Sequence, residues 1–331
     1  MIRGISRRVC LATLVLLLVS SFMYARGVPE TPVPGQEQRA TNASAEYPME
    51  VSDALGTTVV IQEKPESLVS LSLFSDEVLI GLGAEDHFLG VSELAVDPVY
   101  SNVAETASTI GTNIEFNVEQ IISLSPDIVF AADWSDGDRV SQLQDAGIPV
   151  YRTRTSFTIP DIQEEIRTLA RIMGETEAAE DMISAMDARI AELQSTVSTI
   201  PDEQRLSGIE YNTWGTSSGV NTTWHEVLRL AGVHNAAAEF EEDDFGMVPM
   251  SKELIVDLDP DIIFLPGFIW GEDDAAQEFA DQVMNDPALE GLEAIESERV
   301  YMIPEHLKGT YSQYIVDAAE HLAQLVYPDY F

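Results

Sequence analysis

One stretch of this chain occurs twice. Residues 117–130 read NVEQIISLSPDIVF and residues 251–264 read SKELIVDLDPDIIF. At an offset of 134, seven of the 14 positions are identical: Glu119/Glu253, Ile121/Ile255, Leu124/Leu258, Pro126/Pro260, Asp127/Asp261, Ile128/Ile262 and Phe130/Phe264. Each copy is a short amphipathic run, a Pro-Asp stop and a β-branched run, which predicts helix, turn and buried strand. Glu77-Val78-Leu79 with Gly83 is echoed in the same order by Glu226-Val227-Leu228 with Gly232. A duplicated helix–strand unit points to two α/β halves built alike. Acidic first turns and Pro-Asp stops also recur in unrelated α/β proteins, so the rest of the chain has to support the duplication.

It does so by alternation. Strands are predicted at Thr57–Gln62, Leu68–Leu73, Phe88–Ser92, Asp127–Ala131 and Ile148–Arg152, with helices at Ser75–Leu82, Val118–Leu124 (capped by Asn117) and around Gln142–Ala146. The pattern then changes. A helix over Asp161–Met173 ends at Gly174, and a longer one runs from about Glu177 to Val197 before Pro201. Met182, Met186, Ile190, Leu193 and Val197 form one stripe on it. About 20 residues at 1.5 Å each span roughly 30 Å, enough to bridge two compact halves. Beyond it, strands are expected at Ser207–Trp214, Asp261–Leu265 and Arg299–Ile303. Helices are expected at Trp224–Ala231, Lys252–Leu258, Ala275–Met284 and Tyr311–Val326. The fold class read from this order is α/β: two pseudo-symmetric α/β lobes joined by one long α-helix.

Charge narrows the function. The 331 residues hold 57 Asp and Glu against 17 Lys and Arg, a net charge of −40. Such a surface repels phosphate backbones and anionic lipid headgroups, so nucleic acid is excluded as a partner. One cysteine, Cys10, leaves no disulfide framework and no Cys-based zinc module. Arg3, Arg7 and Arg8 precede an apolar run from Val9, and small residues follow at Ser20, Ser21 and Ala25. That order reads as an export signal over residues 1–25, with an uncleaved membrane tether as the alternative. Cys10 lies at the start of the apolar run, not just after it, so lipidation at that run's end is not expected. Residues 26–48, rich in Pro, Ala, Glu and Thr, read as a flexible linker. The segments expected next are an N-terminal lobe over 49–160, an inter-lobe helical segment over 161–201 and a C-terminal lobe over 202–331. Acidity with only three lysines, Lys64, Lys252 and Lys308, suggests a salty habitat in which screening weakens self-repulsion.

Several segments together resemble a known family. Val51-Ser52-Asp53-Ala54-Leu55-Gly56-Thr57-Thr58-Val59-Val60-Ile61 with Lys64-Pro65-Glu66-Ser67-Leu68-Val69-Ser70-Leu71 resembles the opening of the periplasmic binding proteins that serve iron–siderophore, haem and cobalamin importers. Leu82-Gly83-Ala84 with Leu89-Gly90-Val91, Asn117-Val118-Glu119-Gln120-Ile121 with Ser125-Pro126-Asp127, and Leu325-Val326-Tyr327-Pro328-Asp329 are similar to later motifs in the same order. The resemblance covers residues 49–331. It implies two lobes on one rigid helix, a ligand in the cleft between them, and one Glu per lobe docking onto Arg pockets of a dimeric permease coupled to an ATPase. The matching positions are Glu119 and Glu253. A first-turn carboxylate also suits the helix dipole without any partner, and that reading stays open. The family's Ser-Pro-x-x-Thr-Glu segment is here Ser72-Leu73-Phe74-Ser75-Asp76-Glu77, which lacks the Pro and Thr and implies a remodelled cleft edge.

Ligand contacts belong on loops at the strand ends that face the cleft. Trp134, Trp270, His306 and Tyr311 follow predicted strands, Tyr211 and Trp214 end the one over Ser207–Trp214, and Arg152 and Arg154 come at the last strand of the first lobe. Aromatics suit a large planar or hydrophobic chelate, and Arg154 suits a carboxylate. Each aromatic is equally compatible with ordinary core. His306 or Tyr311 as an iron ligand in haem competes with a solvated loop His. Trp224 reads as core. His87, His225, His234, His306 and His321 are scattered, so no bare-metal site, no cofactor and no catalytic residue is expected. Gly215-Thr216-Ser217-Ser218-Gly219 matches a nucleophile-elbow pattern, but Val220 to Thr223 intervene before the next helix, which leaves a Ser hydrolase as the alternative of another class. The function read from all this is an exported, periplasmic, monomeric binding protein of an ABC importer. Its expected cargo is an iron–siderophore or related metal chelate, with cobalamin or haem as the alternative. A sensor using the same cleft is a third possibility.

Overall fold

The computed structural model describes residues 46–331 apart from 111, 272 and 273. The export signal over 1–25 and most of the linker therefore lie outside the described residues. Strands β1 (Met49–Ser52) and β2 (Thr58–Ile61) form an antiparallel hairpin. Its turn is held by Asp53, whose carboxylate accepts from the Leu55 and Thr57 amides at 3.0 and 2.8 Å. Arg152 Nε donates to the other Asp53 oxygen at 2.8 Å, which ties the hairpin to the first sheet.

That sheet contains β3 (Leu68–Ser70), β4 (Phe88–Ser92), β5 (Asn113–Ile114), β6 (Ile128–Ala132) and β7 (Val150–Thr153). They lie parallel in the order β5-β4-β3-β6-β7. The second half contributes β8 (Ser207–Glu210), β9 (Thr216–Ser218), β10 (His234–Asn235), β11 (Met247–Pro249), β12 (Ile262–Pro266) and β13 (Val300–Ile303). Four of these form a parallel sheet in the order β10-β8-β12-β13, while β9 and β11 pair antiparallel beside it. The two parallel orders correspond strand for strand, with β5 as an extra edge.

The repeat is equivalent in detail. Asn117 and Ser251 cap the helices Val118–Leu124 and Lys252–Leu258, accepting from the amides of Gln120 and Leu254. Both helices end on a residue in left-handed conformation, Ser125 at φ 51° and Asp259 at φ 42°. The Pro-Asp stop has a structural task in each copy. Asp127 accepts from the amide and hydroxyl of Ser67, and Asp261 accepts from those of Ser207. Each aspartate thereby fastens one central strand to the start of its neighbour.

Between the sheets run the helices Ile159–Met173 and Thr176–Val197. Met186, Leu193 and Val197 of the predicted stripe are buried, with Met182 and Ile190 packed alongside. One hydrophobic cluster runs from the β1–β2 hairpin through Ile166, Ile183 and Leu193 to Trp224, Val227 and Leu322. Trp224 is core, edge-on to Phe264 at 5.4 Å. A core shared along the long helix leaves little freedom for one half to swing on the other. The predicted strand Ser207–Trp214 stops at Glu210. Asn212 turns the chain back by accepting from the amides of Trp214 and Thr216 at 3.1 and 3.2 Å. The last long helix begins at Ile315 rather than Tyr311.

Candidate functional site

In a parallel sheet the order reverses at a switch point, and the loops there diverge to leave a crevice at the carboxyl ends of the strands. In the first sheet the switch lies between β3 and β6. Leu71 and Ser72 follow β3, while Asp133 and Trp134 follow β6. All four line a cavity of about 1330 Å³. The same wall continues with Glu93 and Leu94 after β4, Glu115 and Phe116 after β5, and Arg154, Thr155 and Phe157 after β7. The opposite wall comes from the second half: Asn221, the segment Glu242–Gly246 between β10 and β11, and Glu305, Gly309 and Tyr311 after β13. The cavity therefore lies between the two sheets.

Its lining is aromatic and acidic. Phe74, Tyr100, Phe116, Trp134, Phe157, Phe245 and Tyr311 face it. So, among the described residues, do seven carboxylates, Glu93, Glu115, Asp133, Glu242, Asp243, Asp244 and Glu305, against a single lining cation, Arg154. Among the described residues Arg154 makes no ion pair. Its backbone is fixed instead. The Arg154 amide donates to Glu165 at 3.2 Å, and the Tyr151 hydroxyl donates to the same oxygen at 3.0 Å. Asp133 accepts from the amide and hydroxyl of Thr155 at 2.9 and 2.8 Å, joining the ends of β6 and β7. Trp134 is 77% exposed and Phe245 83%, each on its own side of the opening.

Two buried polar hubs support the walls. Under the first, Asp76 is fully buried, and burial pushes its carboxyl up to about 7. It accepts from the amide and hydroxyl of Ser92, which lines the cavity with Ser72. Under the second, Lys308 pairs with buried Glu210 at 3.1 Å. Burial alone lowers the Lys308 ammonium, but Glu210 and Glu305 outweigh it and the net direction is up. Burial raises Glu305 and Tyr311 above their ordinary values.

Of the residues singled out from the sequence, the structure brings Trp134, Arg154 and Tyr311 together in the cavity. Tyr211 points elsewhere, stacked on Phe279 at 5.9 Å in the outer core of the second half. Trp214 sits on the Asn212 turn, 86% exposed and outside the lining. Trp270 also lies outside the lining. It meets Phe268 edge-on, and Phe268 meets the cavity residue Tyr100 at 5.7 Å. His306 is not part of the lining, and its backbone oxygen accepts from Asn102 Nδ2 at 3.0 Å. Burial pulls its imidazole down. Phe74, Tyr100, Phe116, Phe157 and Phe245 were not legible as site residues, because Phe marks core and loop edge alike. Ser217 of the elbow-like segment lies in β9, fully buried, with no hydrogen-bond partner for its hydroxyl among the described residues. Glu119 and Glu253 are both exposed in the first turns of the repeated helices. In a parallel βαβ unit those turns lie on the side of the strands' carboxyl ends, which is the side of the cleft.

The periplasmic binding protein family model matches residues 68–307. The chain belongs to that family. An uncharacterised ABC transporter substrate-binding lipoprotein of Bacillus subtilis is 28% identical over 306 residues, covering 91% of this chain and 92% of its own. A cobalamin-binding protein of Halobacterium salinarum is 28% identical over 256 residues, 76% of this chain and 68% of that one. Among solved structures, the molybdate-binding protein MolA of Haemophilus influenzae superposes with a TM-score of 0.69 at 18% identity, over 86% of this chain and 92% of that one. At that identity the likeness shows the shared fold.

Proposed function

We propose that this periplasmic binding protein is the extracytoplasmic component of an ABC importer, and that it captures a bulky metal chelate whole. The observation that carries the reading is the cleft itself: about 1330 Å³, lined by aromatics and carboxylates around one cation. That volume exceeds the range of roughly 300–1,000 Å³ common for small-molecule sites. Aromatic walls suit a flat or hydrophobic chelate. The charge favours neutral or cationic cargo and opposes anionic ferric catecholates or the two carboxylates of haem. A corrinoid meets these conditions, and its single phosphodiester suits the single Arg154. The cobalamin-binding relative supports the same choice. A neutral or cationic ferric chelate, such as a trihydroxamate siderophore, comes second.

Function here is capture rather than chemistry. Burial of Ser217 in a strand supports binding over hydrolysis. The loaded protein acts as an exported monomer and docks on a dimeric permease through Glu119 and Glu253, where carboxylate–Arg pairs fix the orientation. The lobes are residues 49–160 and 202–331, with 161–201 as the strut between them. Calorimetric titration with cyanocobalamin, a ferric trihydroxamate and haemin tests the cargo. The expected order of affinity is corrinoid, trihydroxamate, haemin, and tightest binding of haemin would overturn it.

A further inference from the structure

We propose that Glu77 is a positioning residue that pins the two walls of the cleft to each other and so sets its width. Glu77 lies on the helix Leu73–Gly81 of the first half and is 1% exposed. One oxygen accepts from the amide and the side-chain amide of Asn102 at 2.9 and 2.8 Å. The other accepts from the hydroxyl of Ser312, which belongs to the second half. Gln313 Nε2 donates to the Glu77 backbone oxygen at 2.8 Å. The Asn102 side chain also reaches across, donating to the His306 backbone oxygen. Two segments of opposite walls thus converge on one carboxylate. Asn102 follows the lining residue Tyr100 by two positions, and Ser312 directly follows the lining residue Tyr311.

Two further observations favour a pin over ordinary packing. A buried carboxylate with no ion-pair partner among the described residues is costly, and an apolar side chain would fill the space at lower cost. Its hydrogen bonds offset that penalty only while both halves stay in place. Close approach is also built in at Gly81, where a Cβ would stand 2.7 Å from Gln313 Nε2 and 2.7 Å from Met182 Cε. Glu226, the echo of Glu77 in the second half, has no such role. Its carboxylate is taken by Arg229 of its own helix at 2.7 and 2.8 Å.

The test is a distance measurement between spin labels on the full chain carrying C10S, at Asp138→Cys in one half and Gln277→Cys in the other, both exposed positions. The wild type should give one narrow distribution. Glu77→Ala should broaden it, while Glu77→Gln, which keeps a carbonyl acceptor for Asn102, should stay narrow. Ser312→Ala with Gln313→Ala removes only the second half's share. It should broaden the distribution too, and it decides the matter if Glu77→Ala does not fold. Glu226→Ala should change nothing. A folded Glu77→Ala or Ser312→Ala/Gln313→Ala protein as narrow as the wild type overturns the pin. A second arm rests on the cargo reading above: cyanocobalamin should leave Glu77→Ala about 10-fold faster, with association unchanged. Unchanged dissociation from that variant counts against the pin. If the wild type does not bind cyanocobalamin, the cargo reading fails and the spin-label distances still decide the pin.

Discussion

The two halves share a strand order and a repeat, yet they face the cleft with different chemistry. The first half presents Phe74, in the first turn of the helix Leu73–Gly81, and strand-end loops carrying Phe116, Trp134 and Arg154. The second presents the acidic tip Glu242-Asp243-Asp244 with Phe245, then Glu305 and Tyr311. Beneath the walls the contrast repeats. Asp76 is buried without a cation among the described residues, whereas Glu210 is buried against Lys308. The equivalent features are those that build a sheet: the caps, the left-handed helix ends and the Asp127–Ser67 and Asp261–Ser207 fasteners. What diverged is the set of loops that meet a ligand. A duplicated scaffold therefore fixes the frame twice and leaves each wall free to specialise.

The comparison breaks most sharply where the halves should still be equal. If Glu119 and Glu253 are twin docking points, reversing both to Arg should abolish uptake in cells while leaving cargo affinity within about twofold, because rim charges outside the cleft contribute little to ligand binding. Reversing either one alone should give a partial and similar loss. A large effect from one and none from the other would end the equivalence.

The next effect belongs to the first half alone. The Asp76 carboxyl is raised to about 7 from 3.8 by burial. Below pH 4 it is protonated whether the chain is folded or unfolded, so it carries no penalty. Between pH 4 and 7 the unfolded chain ionises first, and stability is lost as pH rises. Above 7 the loss is complete, on the order of 4 kcal/mol. Asp76→Asn lacks this penalty. Denaturant melts at pH 4, 5.5 and 7.5 should show the variant gaining on the wild type at each step. A gap that stays constant across those pH values would show that Asp76 ionises normally in the folded protein.

Much of the frame was legible in the sequence, and the reason is physical. Asn117, Pro126 and Gly174 act on their own neighbours, so the helices they start or end could be read within a few residues. The duplicated segment then gave the second half by analogy with the first. The site was less legible. A residue after a strand can turn inward or outward, and the sequence does not contain that choice. Trp134 and Tyr311 turned into the cavity, whereas Tyr211 packed on Phe279 because Asn212 reversed the chain immediately after β8. The acidic tip lining the second wall depends on the β9–β11 pairing, a contact between segments about 30 residues apart that no local signal announced.

Charge across the cleft separates the walls by a smaller step. Arg154→Glu should weaken cyanocobalamin binding about 100-fold, since it removes the lining cation and adds an eighth carboxylate. Trp134→Ala should cost about 10-fold in affinity, yet leave stability within about 0.5 kcal/mol because the exposed ring packs on little of the protein. On the other wall, Asp244→Lys should leave the corrinoid nearly unaffected and strengthen haemin several-fold. Titration of the three variants with both ligands reads all of these effects. If Asp244→Lys fails to favour the anionic ligand, the acidic tip is not a charge filter.

The smallest effect belongs to Glu226, which looks like Glu77 in sequence and is placed differently. Glu226→Ala removes an intrahelical pair with Arg229, whose side chain is 53% exposed, so solvent screening limits the loss to under about 1 kcal/mol. Glu77→Ala takes the acceptor from the Asn102 backbone amide and from the Ser312 hydroxyl at a buried junction, and unsatisfied buried donors cost about 1–3 kcal/mol each. Urea melts at pH 7.5 should therefore rank Glu77→Ala well below Glu226→Ala. Salt separates them again: added NaCl should further shrink the Glu226→Ala deficit, which comes from a pair with the half-exposed Arg229, and leave the Glu77→Ala deficit unchanged. Equal deficits with equal salt response would mean that the two glutamates still do the same work, and that the halves have diverged only in their loops.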